Sequence, residues 1–447
     1  AIPLLSSSPV HAALTPHAPI FIVGNGGFTA ANGVVSGSGM ANDPYVIENW
    51  DINASTANGI EIRYTTAYFV IRNCFVENGE GAYYDGIYLY NVANGGIDNN
   101  TCRNNYCGIY LESSHNNTLN NNICENNKGH GIHFVGSDKN ILTNNTCLNN
   151  GWDDTYYSGI VLNKSTKNNL SNNFIENSGA YGIFLCNVSI NNVIRNNFIE
   201  NHGYVGIGLS YSSNNRIYHN NFVNNLTQAY DESSNFWDDG YPSGGNYWSD
   251  YTGVDNYWGE NQDIPGSDGI GDISYSIPGD NNQDCYPLMN PIIKGVEVSI
   301  SPDCKEGLPR DTFSYTVTVV NTGNIIDSYA LTVNDNTGWG PSISPTWLVV
   351  LPGENRATTL TVTIPENARG CTRDTITVAA TSQTDSMVSD NYSCVAHVQE
   401  VSRWPLIIGI IIMATVIGIT TVLYVRRRRL KKVRKRMRRK RRRRPQK

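Results

Sequence analysis

The chain has 447 residues and a net charge of only −6, but the charge is divided unevenly. From Arg426 to Lys447 there are 17 basic residues and no acidic one, so the residues before them hold 16 basic and 39 acidic side chains, a net charge of −23. An acidic body joined to so basic a tail argues against a single aqueous compartment, and no nucleic-acid partner is expected.

Residues 1–17 form an N-terminal segment. Ala1 to Ala13 (AIPLLSSSPVHAA) ends in small residues, as signal peptides do, so the segment is either a signal remnant or the start of a chain whose signal lies upstream. A repeat then begins. A Gly-Ile step recurs at Gly59-Ile60, Gly86-Ile87, Gly108-Ile109, Gly131-Ile132, Gly159-Ile160, Gly182-Ile183 and Gly206-Ile207, at intervals of 27, 22, 23, 28, 23 and 24 residues. Between the steps stand Asn pairs followed by alternating apolar residues, as in Asn121-Asn122-Ile123-Cys124 and Asn172-Asn173-Phe174-Ile175. The alternating segments are too short for helices. Each unit is expected to be one coil of three short strands, stacked on the next at ~4.8 Å in parallel register, a parallel β-helix over residues 18–234. Asn suits its corners because it tolerates left-handed backbone angles and its amides can bond along a stack. The two long units place their extra residues, Glu80 to Tyr84 and Trp152 to Tyr156, in loops just ahead of the Gly-Ile strand.

The Asn-Asn pairs, the Gly-Ile-x-Leu steps and the 22–24-residue spacing resemble the NosD-type β-helix family, including its carbohydrate-binding and sugar-hydrolysis members. The segment Asn235 to Met289 (beginning NFWDDGYPSGGNYWSDYTG) looks like the C-terminal cap of archaeal surface members, so residues 235–295 are expected to close the coil. The resemblance implies a right-handed helix over about residues 18–290 and says little about activity, since one scaffold hosts many functions.

Residues 296–400 change to Thr- and Val-rich alternation, as in Phe313 to Val320 and Leu360 to Ile364. About seven strands are expected, in an immunoglobulin-like sandwich that serves as a stalk. Pro405 to Val425 is then 21 residues without a charge, enough to span roughly 30 Å as a helix. Trp404 and Tyr424 sit at its interfaces, and the basic tail, residues 426–447, follows. The positive-inside rule puts the tail in the cytoplasm, against anionic lipid, and the rest of this all-β protein outside the cell.

Strand parity nominates functional residues. If each repeat isoleucine points inward, Tyr88, Tyr110, His133, Val161 and Phe184 form one outward column. A second column holds Tyr84, Tyr106, Tyr157 and Tyr204, with Asp85 and Asp154 close by. Tyr columns beside carboxylates suit sugar rings, whose apolar faces stack on aromatics, although exposed Tyr also simply covers sheets. Cell-surface or envelope glycans are therefore the expected partners. Glu77, Glu125, Glu176 and Glu200 line another column, with Arg103 between the first two. They would be the acids of a polysaccharide lyase, hydrolase or epimerase, or a solvated ladder. Cys102, Cys124 and Cys147 each lie 15 residues after a repeat isoleucine and should point inward as core residues. A disulfide between coils and a copper site with His130 and His133, which the NosD name suggests, are the alternatives. Asp263, Asp268 and Asp272 are spaced for a Ca²⁺ loop or an acidic turn. Cys304 and Cys371 are expected to pair if the sandwich has immunoglobulin order. Nine sequons, at Asn53, Asn99, Asn116, Asn144, Asn163, Asn169, Asn187, Asn225 and Asn391, permit glycosylation.

Overall fold

The computed structural model describes residues 14–151, 156–400 and 404–441. The N-terminal Ala1 to Ala13, Asp154 and most of the Trp152 to Tyr156 loop lie outside the described residues.

The repeat folds as a parallel β-helix of three sheets with ten, nine and nine strands. At ~4.8 Å per coil the stack is roughly 40 Å tall. It is longer than the seven Gly-Ile units imply, because Ile20–Val23 and Thr227–Asp231 add strands to the Gly-Ile sheet at either end. Strand parity sets the core. Ile60, Ile87, Ile109, Ile132, Ile160, Ile183 and Ile207 lie in register and are all fully buried. The glycine before each isoleucine is required by close approach. A Cβ on Gly108 would sit 2.6 Å from the carbonyl oxygen of Gly131 and 2.8 Å from Cys124 Sγ.

The Asn pairs divide two tasks between them. The first residue of the pair turns the chain: Asn99, Asn121, Asn144, Asn172 and Asn196 have φ between 54° and 58°. The second is buried and stacks. Asn100, Asn122, Asn145, Asn173, Asn197, Asn220 and Asn246 form one ladder in which each Nδ2 donates to the next Oδ1 at 2.9–3.0 Å. The backbone N–H of each also donates to the Oδ1 one coil on, as Asn122 does to Asn145 at 3.0 Å. A parallel ladder runs Asn117, Asn140, Asn168, Asn192, Asn215 and Asn235. Beside it Ser114, Ser137, Ser165, Ser189 and Ser212 each accept a backbone N–H from the preceding coil.

These two Asn ladders each end on a buried carboxylate. Asn246 N–H donates to Asp284 Oδ2 at 2.7 Å and Trp248 Nε1 donates to the same oxygen at 2.9 Å. Asn235 Nδ2 donates to Asp231 at 2.9 Å and Trp237 Nε1 does so at 3.0 Å. An aspartate fits here because the last amide needs an acceptor, and an asparagine would bring a further N–H₂ with nothing to bond. The cap segment around these groups joins the core: Trp248 stacks on Phe222 and Tyr275, at 4.5 and 4.2 Å between ring centroids.

From Val296 the chain forms two sheets of four and five strands around a separate core that includes Tyr315, Val317, Tyr329, Leu360, Ile376 and Cys394. There are nine strands rather than seven, since Cys304–Gly307 and Ser342–Ser344 also pair. The expected Cys304–Cys371 bridge is absent, and all ten cysteines are free thiols. Cys304 pairs with Val395 on one side of strand Ser389–Val398, whereas Cys371 donates its N–H to Val398 on the other side. The two are separated by a whole strand and three residues of register, well beyond disulfide reach. Cys394 lies opposite Ile376, two residues from the expected Val378. A single helix, Trp404–Arg441, follows. Its segment Ile408–Arg438 is long and apolar enough to cross a membrane.

The ladder gives a direct test. Asn122→Ala leaves two N–H groups of Asn100 without their acceptor and the carbonyl of Ile97 without its donor, and should destabilise the β-helix by about 3 kcal/mol or more. Its neighbour Asn121→Ala should cost only about 1 kcal/mol, the strain of a left-handed alanine. Urea midpoints at constant m-value measure both, and equal costs would contradict the division of labour.

Candidate functional site

The outer face of the Gly-Ile sheet carries the expected column. Glu61, Tyr88, Tyr110, His133, Val161 and Phe184 are paired in that order, one per coil. Around it nine rings form one contiguous strip. Tyr64 meets Tyr90, Tyr90 meets Tyr88, and Tyr88 stacks on Tyr110 at 5.1 Å. Tyr110 stacks on His133 at 4.8 Å, which leans on His130 at 4.6 Å. His130 meets Tyr157, and Tyr157 meets Tyr106, itself packed on Tyr83. Arg63 lies over Phe21, Tyr88 and Tyr90 and is ion-paired with Glu61.

Stacking changes what the strip can offer. Tyr88, Tyr110 and His133 spend their faces on each other, which leaves their hydroxyl and nitrogen edges for other contacts. Tyr88 OH donates to Glu112 Oε2 at 2.7 Å, with Tyr110 OH within 3.5 Å of the same oxygen. The hydroxyls of Tyr106 and Tyr157 share a hydrogen bond of 3.1 Å. Asp85 is buried at the base of the strip and accepts the N–H of Cys107 at 3.0 Å; burial pushes its carboxyl up to about 7. His130 Nδ1 accepts the backbone N–H of Ser158 at 3.0 Å, which places its proton on Nε2. Burial holds His130 down at about 3 and His133 at about 4, so both are neutral.

Of the six tyrosines proposed from sequence, Tyr88, Tyr106, Tyr110 and Tyr157 enter this strip. Tyr204 belongs to a second cluster with Tyr181 and Phe184. Tyr83 rather than Tyr84 packs on Tyr106, because a left-handed turn at Tyr83 (φ 61°) breaks strand parity and leaves that ring 64% exposed. Glu112 was missed although parity pointed to it, since it follows Tyr110 by two on the same strand.

The other candidates separate differently. Glu176 and Glu200 are register neighbours, and burial together with Glu176 raises the carboxyl of Glu200. Asn177 and Asn201 donate to Glu176 at 3.3 and 3.4 Å. Leu148 stands between Glu125 and Glu176, so Glu125 is not part of the pair. Glu77 is held by Arg103 at 2.9 Å. The acids of the cap loop do not converge. Asp272 accepts the N–H groups of Asn256 and Tyr257, and Asp268 that of Ile270. Asp263 is exposed, and among the described residues no three acids, thiols or imidazoles are grouped to hold a metal ion. Of the sequons, Asn225 is buried and donates to Ile199 O and Gln228 Oε1, so a glycan there is incompatible with the fold.

Residues 32–253 match the family model of NosD, periplasmic copper-binding protein. No curated protein matches the chain. Among solved structures, the periplasmic alginate epimerase AlgG is 22% identical with a TM-score of 0.37, covering 46% of this chain and 53% of its own. The enzymatically active domain of Bacteriophage CBA120 tailspike protein 2 is 11% identical with a TM-score of 0.41, covering 86% of this chain and 71% of its own. This chain thus spans about half the length of the epimerase. The candidate donors do not fit the copper that the family's description names. Cys102, Cys124 and Cys147 are fully buried, burial lifts the thiol of Cys102, the contact with Cys147 together with burial lifts that of Cys124, and His130 presents a donor rather than a lone pair.

A pH dependence follows. His130, His133 and His202, at about 3, 4 and 4, refuse protons that the unfolded chain takes up below its ordinary 6.5. Their stabilisation is full above pH 6.5 and is lost as the pH falls towards 4. Asp85 and Asp284, both raised to about 7, act in the opposite sense, because stability is lost as pH rises from about 4 through 7. The double variant His130→Gln/His133→Gln should therefore lose less melting temperature than the parent between pH 7 and 4.5. An equal loss in both would show that these imidazoles are not held neutral.

Proposed function

We propose, starting from a NosD-type β-helix over residues 32–253, that this chain is a cell-surface protein that binds glycans through the aromatic strip of its Gly-Ile sheet. In this reading the C-terminal helix anchors it, the basic tail lies inside against anionic lipid, and the sandwich is the stalk. The observation that carries the reading is the nine-ring strip on one face of the coil, edged with phenol and imidazole groups and one carboxylate. Sugar hydroxyls both donate and accept hydrogen bonds, which such an edge satisfies. The partly exposed rings at its margin, Tyr83 above all, supply faces for the apolar side of a pyranose.

Full-length protein in detergent on a glycan array tests this. Binding by the parent should weaken at least about tenfold in Tyr106→Ala/Tyr157→Ala, the loss of two aromatic contacts. Glu176→Gln should leave it unchanged. Absence of binding to any glycan would end the proposal.

A second reading rests on Glu176 and Glu200, adjacent carboxylates with one raised as a general acid requires. It predicts release of reducing or unsaturated ends from a polysaccharide, abolished by Glu200→Gln and untouched by the tyrosine variants.

A further inference from the structure

We infer that the strip selects uncharged, hydroxyl-rich glycans and rejects polyuronates and other polyanionic chains. The inference rests on the glycan-binding reading above and concerns the class of ligand. It is carried by the balance of donors, acceptors and charge along the strip. A carboxylate ligand accepts hydrogen bonds only, so its site must offer donors or a free cation. Here the edge around Glu112 offers acceptors, because the nearest hydroxyls are turned to it as donors. Tyr88 has already given its proton to Glu112, leaving the phenol oxygen to accept, and the second carboxylate oxygen of Glu112 also only accepts. The one donor fixed by the backbone is His130 Nε2–H, and it carries no charge.

The main cation beside the strip is already engaged: Arg63 is paired with Glu61 and covered by Phe21, Tyr88 and Tyr90. Lys128, 5.4 Å over the Tyr83 ring, keeps its charge as a single ammonium at the margin. Glu61 and Glu112 flank the strip, and Asp85 lies at its base. The field of the whole body adds to this. The first 425 residues carry a net charge of −23, which raises the potential barrier to any approaching polyanion. A hydroxyl bears no charge and answers both an acceptor edge and a lone donor. An N-acetyl group answers them equally.

The experiment compares three polymers on full-length protein in detergent at low and high salt: laminarin and mannan as neutral chains, and polygalacturonate as the polyuronate. At least one neutral chain should bind with an affinity that salt leaves nearly unchanged, and polygalacturonate should not bind. Glu112→Gln should weaken the neutral chain by about tenfold or more, the loss of a charge-assisted acceptor. Glu297→Gln, on the sandwich, should leave it unchanged. Polygalacturonate binding more tightly than either neutral chain, and weakening with salt, would overturn the ligand class while leaving glycan binding intact. Binding of none of the three would count against both.

Discussion

A chain that winds through three corners per coil has to bury backbone N–H and carbonyl groups at those corners, out of reach of water and of the sheet ladders. The stacked side chains of Asn and Ser solve this. One amide accepts the N–H of the coil before it, donates to the coil after it, and gives its second proton to a carbonyl, as Asn122 does with Asn100, Asn145 and Ile97. A lost rung leaves several buried groups unsatisfied at once. Much else follows from the same constraint. The Asn pairs recur because one residue turns and the next stacks. The glycines recur because the coils come too close for a Cβ. The cap must finish on acceptors.

The ladder also explains where chemistry can sit. Inward positions are committed to core and rungs, so only outward columns are free to vary. Columns repeat at the coil spacing, which is close to the stacking distance of aromatic rings. Tyrosines placed there bind each other first. The strip is therefore a preformed edge of hydroxyls and imidazole rather than a set of open ring faces, and the most exposed rings stand at its ends, Tyr83 and Tyr64.

Much of this was legible in the sequence, and the reason is periodicity. A period of about 23 residues fixes coil, register and parity together, so the inward Cys102, Cys124 and Cys147 and the outward Tyr88, Tyr110 and His133 follow from one count. Legibility stops where periodicity does. Parity fails across the turn at Tyr83. A sequon such as Asn225 does not reveal that its amide is a rung. The closely spaced Asp268 and Asp272 are acceptors for their own loop, which their spacing alone does not reveal. The sandwich has no repeat to lean on, so strand order had to be assumed, and the assumed order brought Cys304 and Cys371 to one end when a strand in fact divides them. The buried Asp231 and Asp284 have no sequence signal apart from standing in a Trp-rich segment.

The aligned amides give the coil a sense as well as a period. Every rung of these two ladders sends one amide proton towards the C-terminal end, where Asp231 and Asp284 accept the last N–H groups. Stacked parallel strands are the geometry of fibres, and an open end of such a stack is a template for another molecule. At this end the two carboxylates lie buried under the cap, held by Trp237 and Trp248, so the last rungs are closed within the chain itself rather than left as a template.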